Sequence, residues 1–166
     1  AAFEAAYDER IDTLRETLET THPDLTVSIL APDVDGQFYL GDEGQAVGTV
    51  AYDLDLGRPA AQAEADRLGA TFSDAVSLER VDEHDADVVL VLDYGGDVAD
   101  GEFDPVTEEF LASPLVQRLE AAQRDQLVVV DGAATVGAAW ARMDAFLDVL
   151  EDVLLADDLV VTGVNG

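Results

Sequence analysis

Two continuous apolar runs, "ADVVLVLD" at 86–93 and "QLVVVD" at 126–131, constrain this chain more than anything else in it. Neither alternates apolar with polar residues, as a strand with one wet face would. Each is therefore expected to be a strand covered on both faces, the place of a central strand in a parallel sheet. "LTVSILA" at 25–31 reads as a third buried strand, and helical patterns separate the three. Strands alternating with helices argue an α/β fold: a mostly parallel sheet sandwiched by helices, with ligand loops at the carboxyl ends of the strands.

The remaining pattern fills in around these strands. Phe3, Tyr7, Ile11, Leu14 and Leu18 recur at helical spacing, which predicts one amphipathic helix of about twenty residues that ends at His22-Pro23. Pro32 to Gly36 reads as a turn, "QFYL" at 37–40 as a short strand, and 44–56 and 60–69 as helices broken at Gly57-Arg58-Pro59. "SLERVDEHDAD" at 77–87 reads as a helix with Ser77 as its N-cap and Arg80 at N3. Tyr94 to Gly101 is a Gly- and Asp-rich loop, with helical turns at 105–111 and 114–122. After 131 a "GAATVG" loop leads into a long helix whose apolar stripe is Val136, Trp140, Met143, Leu147, Leu150 and Leu154. That stripe assigns Trp140 to core packing. "LVVTG" at 159–163 is expected to be a last strand.

With 166 residues and a hydrophobic fraction of 48%, the chain can fill one sizeable core. Eight Arg and no Lys stand against 37 acidic residues, a formal net charge of -29. Such a surface repels phosphate backbones, so nucleic acid is excluded as a partner. The charges are interleaved with Val, Leu and Ile rather than gathered in tails, so the chain is expected to fold. Acidic residues in place of Lys are the solvated, halophilic surface expected of proteins from salt-saturated cytoplasm or brine. Without Cys there is no disulfide framework, thiolate metal site or Cys nucleophile. No apolar run approaches the roughly 18 residues of a membrane-spanning helix, so no direct insertion of this segment is expected. No signal peptide opens the chain. Ala1 lies inside a helical pattern, and the chain is expected to be a processed or excised portion of something longer.

Asp33-Val34-Asp35-Gly36, directly after a strand, admits three chemical readings. Haloacid dehalogenase-like phosphatases use two Asp at this spacing as nucleophile and acid/base. Phosphoryl transfer also needs a cation on the transferring group, and the chain has no Lys; Asp157-Asp158, the available acidic pair, follows a helix rather than ending a strand. A helix-loop-helix calcium loop counted from Asp33 puts Gly36 at position four and Gly44 at position twelve, where the pattern wants Gly at about six and Glu at about twelve. An isolated surface calcium stays open. The third reading is a strand-ending turn whose Pro, Asp and Gly serve backbone geometry. His22 and His84 are far apart and read as solvent-exposed, at a helix end and on a helix surface. No nucleophile elbow or phosphate loop with Lys is present. The sequence gives no argument for catalysis, for a cofactor or for a resident metal.

Taken in order, the opening helix, "VSILAP", "GDEGQAVGTVAYDLDLGRPA", "VSLERVDEHDADVVLVLDYG", "LVQRLEAAQRDQLVVVDG" and the final helix resemble the carboxyl-terminal lobe of ABC-transporter substrate-binding proteins for ferric siderophores, haem and cobalamin. The resemblance runs over residues 1–156. Its most specific part is Val76-Ser77-Leu78-Glu79, an apolar helix, then Asp85-Ala86-Asp87 entering a strand; a second is Leu119 to Asp131. Ala86 stands where the family usually has Pro, and Gln126 near a common Gly.

The resemblance implies one lobe of a two-lobed binding protein that does no chemistry. Residues 1–22 would be the end of the helix connecting the lobes and 23–166 the carboxyl-terminal lobe. The ligand would be a ferric siderophore-type chelate, with cobalamin as the alternative, and the partners would be the subunits of a membrane permease. The location would be the extracellular face of the cell membrane, with a lipid anchor upstream. Glu79 occupies the place of the carboxylate that docks onto permease Arg residues, and it also suits a helix amino terminus electrostatically. The ligand cleft would be lined by the loops Asp33 to Gly44, Tyr94 to Gly101 and Ala133 to Gly137. Phe38, Tyr39, Tyr94 and Phe103 would stack on ligand, and Arg142 would meet an anionic chelate or else a surface ion-pair partner.

Overall fold

The run at 86–93 becomes β4 (Val88–Asp93), and all six of its residues are buried. In the computed structural model, which describes residues 2–41, 46–67, 75–136 and 139–162, β4 pairs in parallel with β1 (Val27–Asp33) on one side and β5 (Leu127–Asp131) on the other. β2 (Gln37–Leu40) runs antiparallel to β1, and β3 (Val76–Ser77) antiparallel to β2. The sheet order is β3-β2-β1-β4-β5. The sheet is thus mixed, with a parallel centre and an antiparallel hairpin edge.

Helices cover both faces, which is why β4 carries no polar alternation. One face packs under α1 (Ala2–Thr21), α2 (Ala46–Asp53) and α7 (Trp140–Leu154), with Ile11, Leu14 and Leu18 against Ile29, Leu90, Phe146 and Leu150. The other holds Leu30, Phe38, Val89 and Val91 beneath α4 (Pro105–Ala112) and α5 (Glu120–Gln123). α3 (Ala60–Arg67) reaches Ser28 of β1 through Gln62. The wholly buried Phe146, Leu147, Leu150 and Leu154 of α7 each contribute about 1.5–3 kcal/mol of burial free energy. Among the described residues no helix is long and apolar enough to cross a membrane.

Several expectations change. Pro32 and Asp33 belong to β1, so the turn shortens to 34–36, with Asp35 and Gly36 both at left-handed φ, 62° and 67°. Asp-Gly is the pair that tight hairpins favour at such positions. The "GAATVG" stretch opens as a one-turn helix, α6 (Gly132–Thr135), whose cap is the Asp131 side chain accepting the Ala134 N–H at 2.9 Å. Residues 159–162 form no strand, although Val160 is held by Gln126. Phe3 stands exposed at the start of α1. The expected helix boundaries at Gly44 and Gly69, together with Gly137 and Gly163, lie outside the described residues.

The segment at 77–87 is not an α-helix. It is a 3₁₀ helix, Leu78–His84, and Ser77 caps it as expected by accepting the Glu79 N–H at 3.3 Å. His84 is not on the surface: it is 2% exposed, edge-on to the Phe38 ring at 5.3 Å, with Nδ1 3.5 Å from Gln62 Nε2. Residues three apart eclipse on a 3₁₀ helix, so His84 shares the inward face of Val81.

Burial pulls the His84 pKa below its ordinary value, a shift that Arg80 deepens and the Glu83 and Asp82 carboxylates oppose. The unfolded imidazole takes a proton near pH ~6.5 that the folded site refuses. Stability is therefore present above that pH and lost as pH falls through the folded value. Urea melts at a series of pH values are expected to show this acid slope reduced in His84→Gln; an unchanged slope would exclude His84 as its source.

Candidate functional site

The sheet ends its parallel centre on aspartates, and these organise the edge where the loops gather. Asp93, 1% exposed, stands opposite Asp131 in the register of β4 and β5. Its carboxylate accepts N–H bonds from Gly95 at 3.2 Å, Gly96 at 2.7 Å and Asp104 at 2.8 Å, and one from the Thr107 hydroxyl. Burial alone raises a carboxyl pKa, but the Thr107 hydroxyl and the amides of Gly96, Asp104 and Gly95 outweigh it and hold Asp93 below the usual value. A bridge between Asp97 and Glu102 folds the rest of the loop, and Asp104 caps α4 by accepting the Val106 N–H at 2.9 Å.

What this loop presents is Tyr94, half exposed directly after Asp93. Its ring lies on the backbone of Gly132, where a Cβ would come within 2.8 Å of Tyr94 Cε1. Only glycine permits that approach. Partial burial raises the Tyr94 pKa, so its hydroxyl stays protonated. Tyr94 is thereby fixed as a shelf across the ends of β4 and β5.

The segment that continues from β5 extends the shelf. The Arg142 guanidinium donates to the carbonyl oxygens of Ala133 and Val136, tying α7 back to α6. Trp140, the first residue of α7, is 46% exposed and meets Tyr7 of α1 edge-on at 5.6 Å. The Tyr7 hydroxyl donates to Asp53 at 2.8 Å, and burial followed by that carboxylate raises its pKa. One turn further on, Arg10 engages three carboxylates of α7: Asp144, Asp148 at 2.6 Å and Glu151 at 3.1 Å. These contacts hold α1 and α7 side by side in parallel, so both begin at the edge where β5 ends.

The residues expected to line a cleft divide accordingly. Tyr94 and Arg142 belong to this edge, although Arg142 is engaged by backbone carbonyls and makes no surface ion pair among the described residues. Tyr39, 39% exposed, is paired with Ala31 and lies across β1 from Tyr94. Phe38 is corrected outright: it is wholly buried between His84 and Phe110, because neighbouring strand residues point to opposite faces. Phe103 lines a groove of about 510 Å³ with Val98, Leu111 and Leu127 along the outer edge of β5. Glu79 is exposed two residues past β3. Asp42 to Gly44 of the expected cleft wall lie outside the described residues.

Trp140 is the aromatic that the sequence placed wrongly. Its helical spacing put it on the buried stripe, whereas its position as the first residue of α7 leaves it at the mouth of the edge. A larger hollow, about 630 Å³, opens at the opposite end of the lobe between Arg15, His22, Leu25 and Gly57. There the buried Asp87 accepts bonds from Thr26 and Thr162 and ties the base together.

The phosphatase geometry does not form. Asp33 pairs with Gln37 inside a hairpin, and β1 continues into an antiparallel strand rather than a nucleophile loop. Among the described residues no group of three His, Asp or Glu side chains is placed to hold a metal ion.

No protein-family model and no curated protein matches the sequence. Solved structures do match. A siderophore periplasmic binding protein from the fuscachelin gene cluster of Thermobifida fusca is 28% identical, with a TM-score of 0.73 over 93% of this chain and 52% of that one. An FhuD-fold periplasmic binding protein component of a Fep/Fec-like ferrichrome ABC transporter from Bacillus subtilis is 16% identical, with a TM-score of 0.77 over 92% of this chain and 55% of that one. FhuD2 from Staphylococcus aureus with bound ferrioxamine B is 18% identical, with a TM-score of 0.64 over 92% and 55%. The fold is that of one lobe of an FhuD-type binding protein, and the chain spans about half the length of these proteins.

Proposed function

We propose that this chain is the carboxyl-terminal lobe of the solute-binding component of an ABC importer, one that captures a ferric siderophore-type chelate between two lobes and delivers it to a membrane permease. The observation that carries this is the lobe-length likeness, at 28% identity, to the siderophore periplasmic binding protein of Thermobifida fusca. The carboxyl edge supports it. Tyr94 is fixed on Gly132 and Trp140 on Tyr7, so two aromatic faces stand preorganised where ligand loops of an α/β sheet gather. Tyr39 is a third contact on the hairpin side, and Arg142 acts by fixing α6 under the shelf. In this reading α1 is the end of the helix that connects the lobes, and the protein works at the extracellular face of the membrane, held by a lipid anchor on an upstream segment. The acidic coat is the surface of a protein adapted to brine. Glu79, exposed at the start of the 3₁₀ helix, is the docking carboxylate for cationic permease residues.

The test separates ligand from partner in the full-length protein. Fluorescence titration with ferrichrome, ferrioxamine B and cobalamin should show binding of a ferric chelate, and Tyr94→Ala should weaken it about tenfold, the worth of an aromatic contact of ~1.4 kcal/mol. Glu79→Arg should leave that affinity alone while reducing chelate uptake. Binding of cobalamin alone would replace the ligand assignment, and unchanged uptake by Glu79→Arg would remove the docking assignment.

A further inference from the structure

Three consecutive residues of the hairpin, Gly36 to Phe38, reach both ends of the 3₁₀ helix that carries Glu79. At its amino end the Leu78 N–H donates to the Gly36 carbonyl at 2.9 Å, and Gln37 and Phe38 pair with Ser77 and Val76. At its carboxyl end the His84 imidazole stands edge-on to the Phe38 ring. Behind His84, Gln62 donates to the Ser28 hydroxyl at 2.6 Å, so the next support lies on β1, the other strand of the same hairpin.

A 3₁₀ helix has poor hydrogen-bond geometry and runs beyond about four residues are uncommon. This one has seven, so its course is set by whatever holds its ends. Glu79 follows directly after the residue bonded to Gly36, and its own N–H is taken by Ser77. Among the described residues its carboxylate has no anchor of its own in the core; the backbone beneath it does.

We propose that the β1–β2 hairpin positions Glu79 for docking: Gly36, Phe38 and His84 are positioning residues that act through Glu79 and touch no partner themselves. The proposal rests on the docking reading of Glu79. It adds that the turn closing the carboxyl end of β1, beside the edge assigned to ligand, is also the support of the docking carboxylate.

Two measurements test it. In this chain, Gly36→Ala strains a residue at φ +67° around which a Cβ meets nothing within 4 Å, so it perturbs the turn without a clash. Amide exchange at Leu78 and Glu79 should quicken about tenfold while β4 and β5 keep their protection; unchanged exchange at Leu78 overturns the mechanical link. In the full-length protein with its permease in lipid nanodiscs, Gly36→Ala and His84→Ala should each weaken association about tenfold, and His84→Ala should do so at unchanged affinity for ferrichrome or ferrioxamine B. In a Glu79→Ala background neither should weaken it further, because they act through that carboxylate. Additive losses, or a parallel loss of chelate affinity in His84→Ala, overturn the proposal. If Glu79→Ala alone associates normally, the docking reading falls, and the exchange result still decides whether the hairpin holds the helix.

Discussion

Replacing Phe38 with alanine is expected to cost the fold about 3–5 kcal/mol, the price of removing a large side chain from a core that collapses only in part. The ring is wholly buried, with edge contacts to His84 at 5.3 Å and Phe110 at 6.2 Å. Tyr39→Ala, one residue along and on the other face of β2, should cost less than about 1 kcal/mol. The comparison is made by urea unfolding of both variants, read as a shift of midpoint at constant slope. Equal, small losses for the two would mean that Phe38 is not a core residue and would return it to the ligand cleft.

The second large effect is at Asp93. Asp93→Ala removes one acceptor from three backbone amides and a hydroxyl, and each polar group left unsatisfied in a buried setting costs about 1–3 kcal/mol. With some amides regaining water, a loss of about 3–5 kcal/mol is expected. The loop that carries Tyr94 should loosen with it, seen as faster amide exchange at Gly95 and Gly96. The pH dependence has a definite sign. The folded carboxyl lies below its unfolded value, so its stabilisation is complete above the ordinary Asp pKa of about 3.9 and is lost as pH falls through the folded value. Asp93→Asn should remove that part of the acid slope. Retention of the full slope would move its origin to another carboxylate.

The sheet's centre was legible because burial on both faces leaves a signature that no surface strand shares. Three apolar runs became three adjacent parallel strands, and the turn residues between them marked where chains cross. The antiparallel edge was half legible: the strand at 37–40 was expected, but Asp35-Gly36 between two apolar segments is a hairpin signal, and reading it as a generic turn left that strand unpaired with β1. The position of Tyr94 on the loop after β4 was legible from its place behind a central strand. Phe38 was misassigned because it was judged as an aromatic near a loop, when strand periodicity alone puts it and Tyr39 on opposite faces. His84 was misassigned through the helix type. Leu78, Val81 and His84 are spaced by three, a row that stays on one face of a 3₁₀ helix and drifts by about 60° per step around an α-helix. Trp140 depended on long-range packing against Tyr7, which spacing within a segment does not encode.

Arg10 reaches three carboxylates and Arg142 two carbonyls, and other arginines make multiple bonds in the same way. Arg15 bridges Asp12 and the Asp53 carbonyl, Arg58 joins Gln62 to the Gly41 carbonyl, and Arg80 grips both oxygens of Glu83. A planar fork with several fixed donors makes such multiple bonds; an ammonium on a flexible stem is a single point. The missing lysine therefore has an architectural side as well as a solvent one. Arg10, Arg15, Arg58 and Arg142 serve as brackets between segments, and an Arg→Lys exchange at any of these four sites would keep the charge and lose the joint.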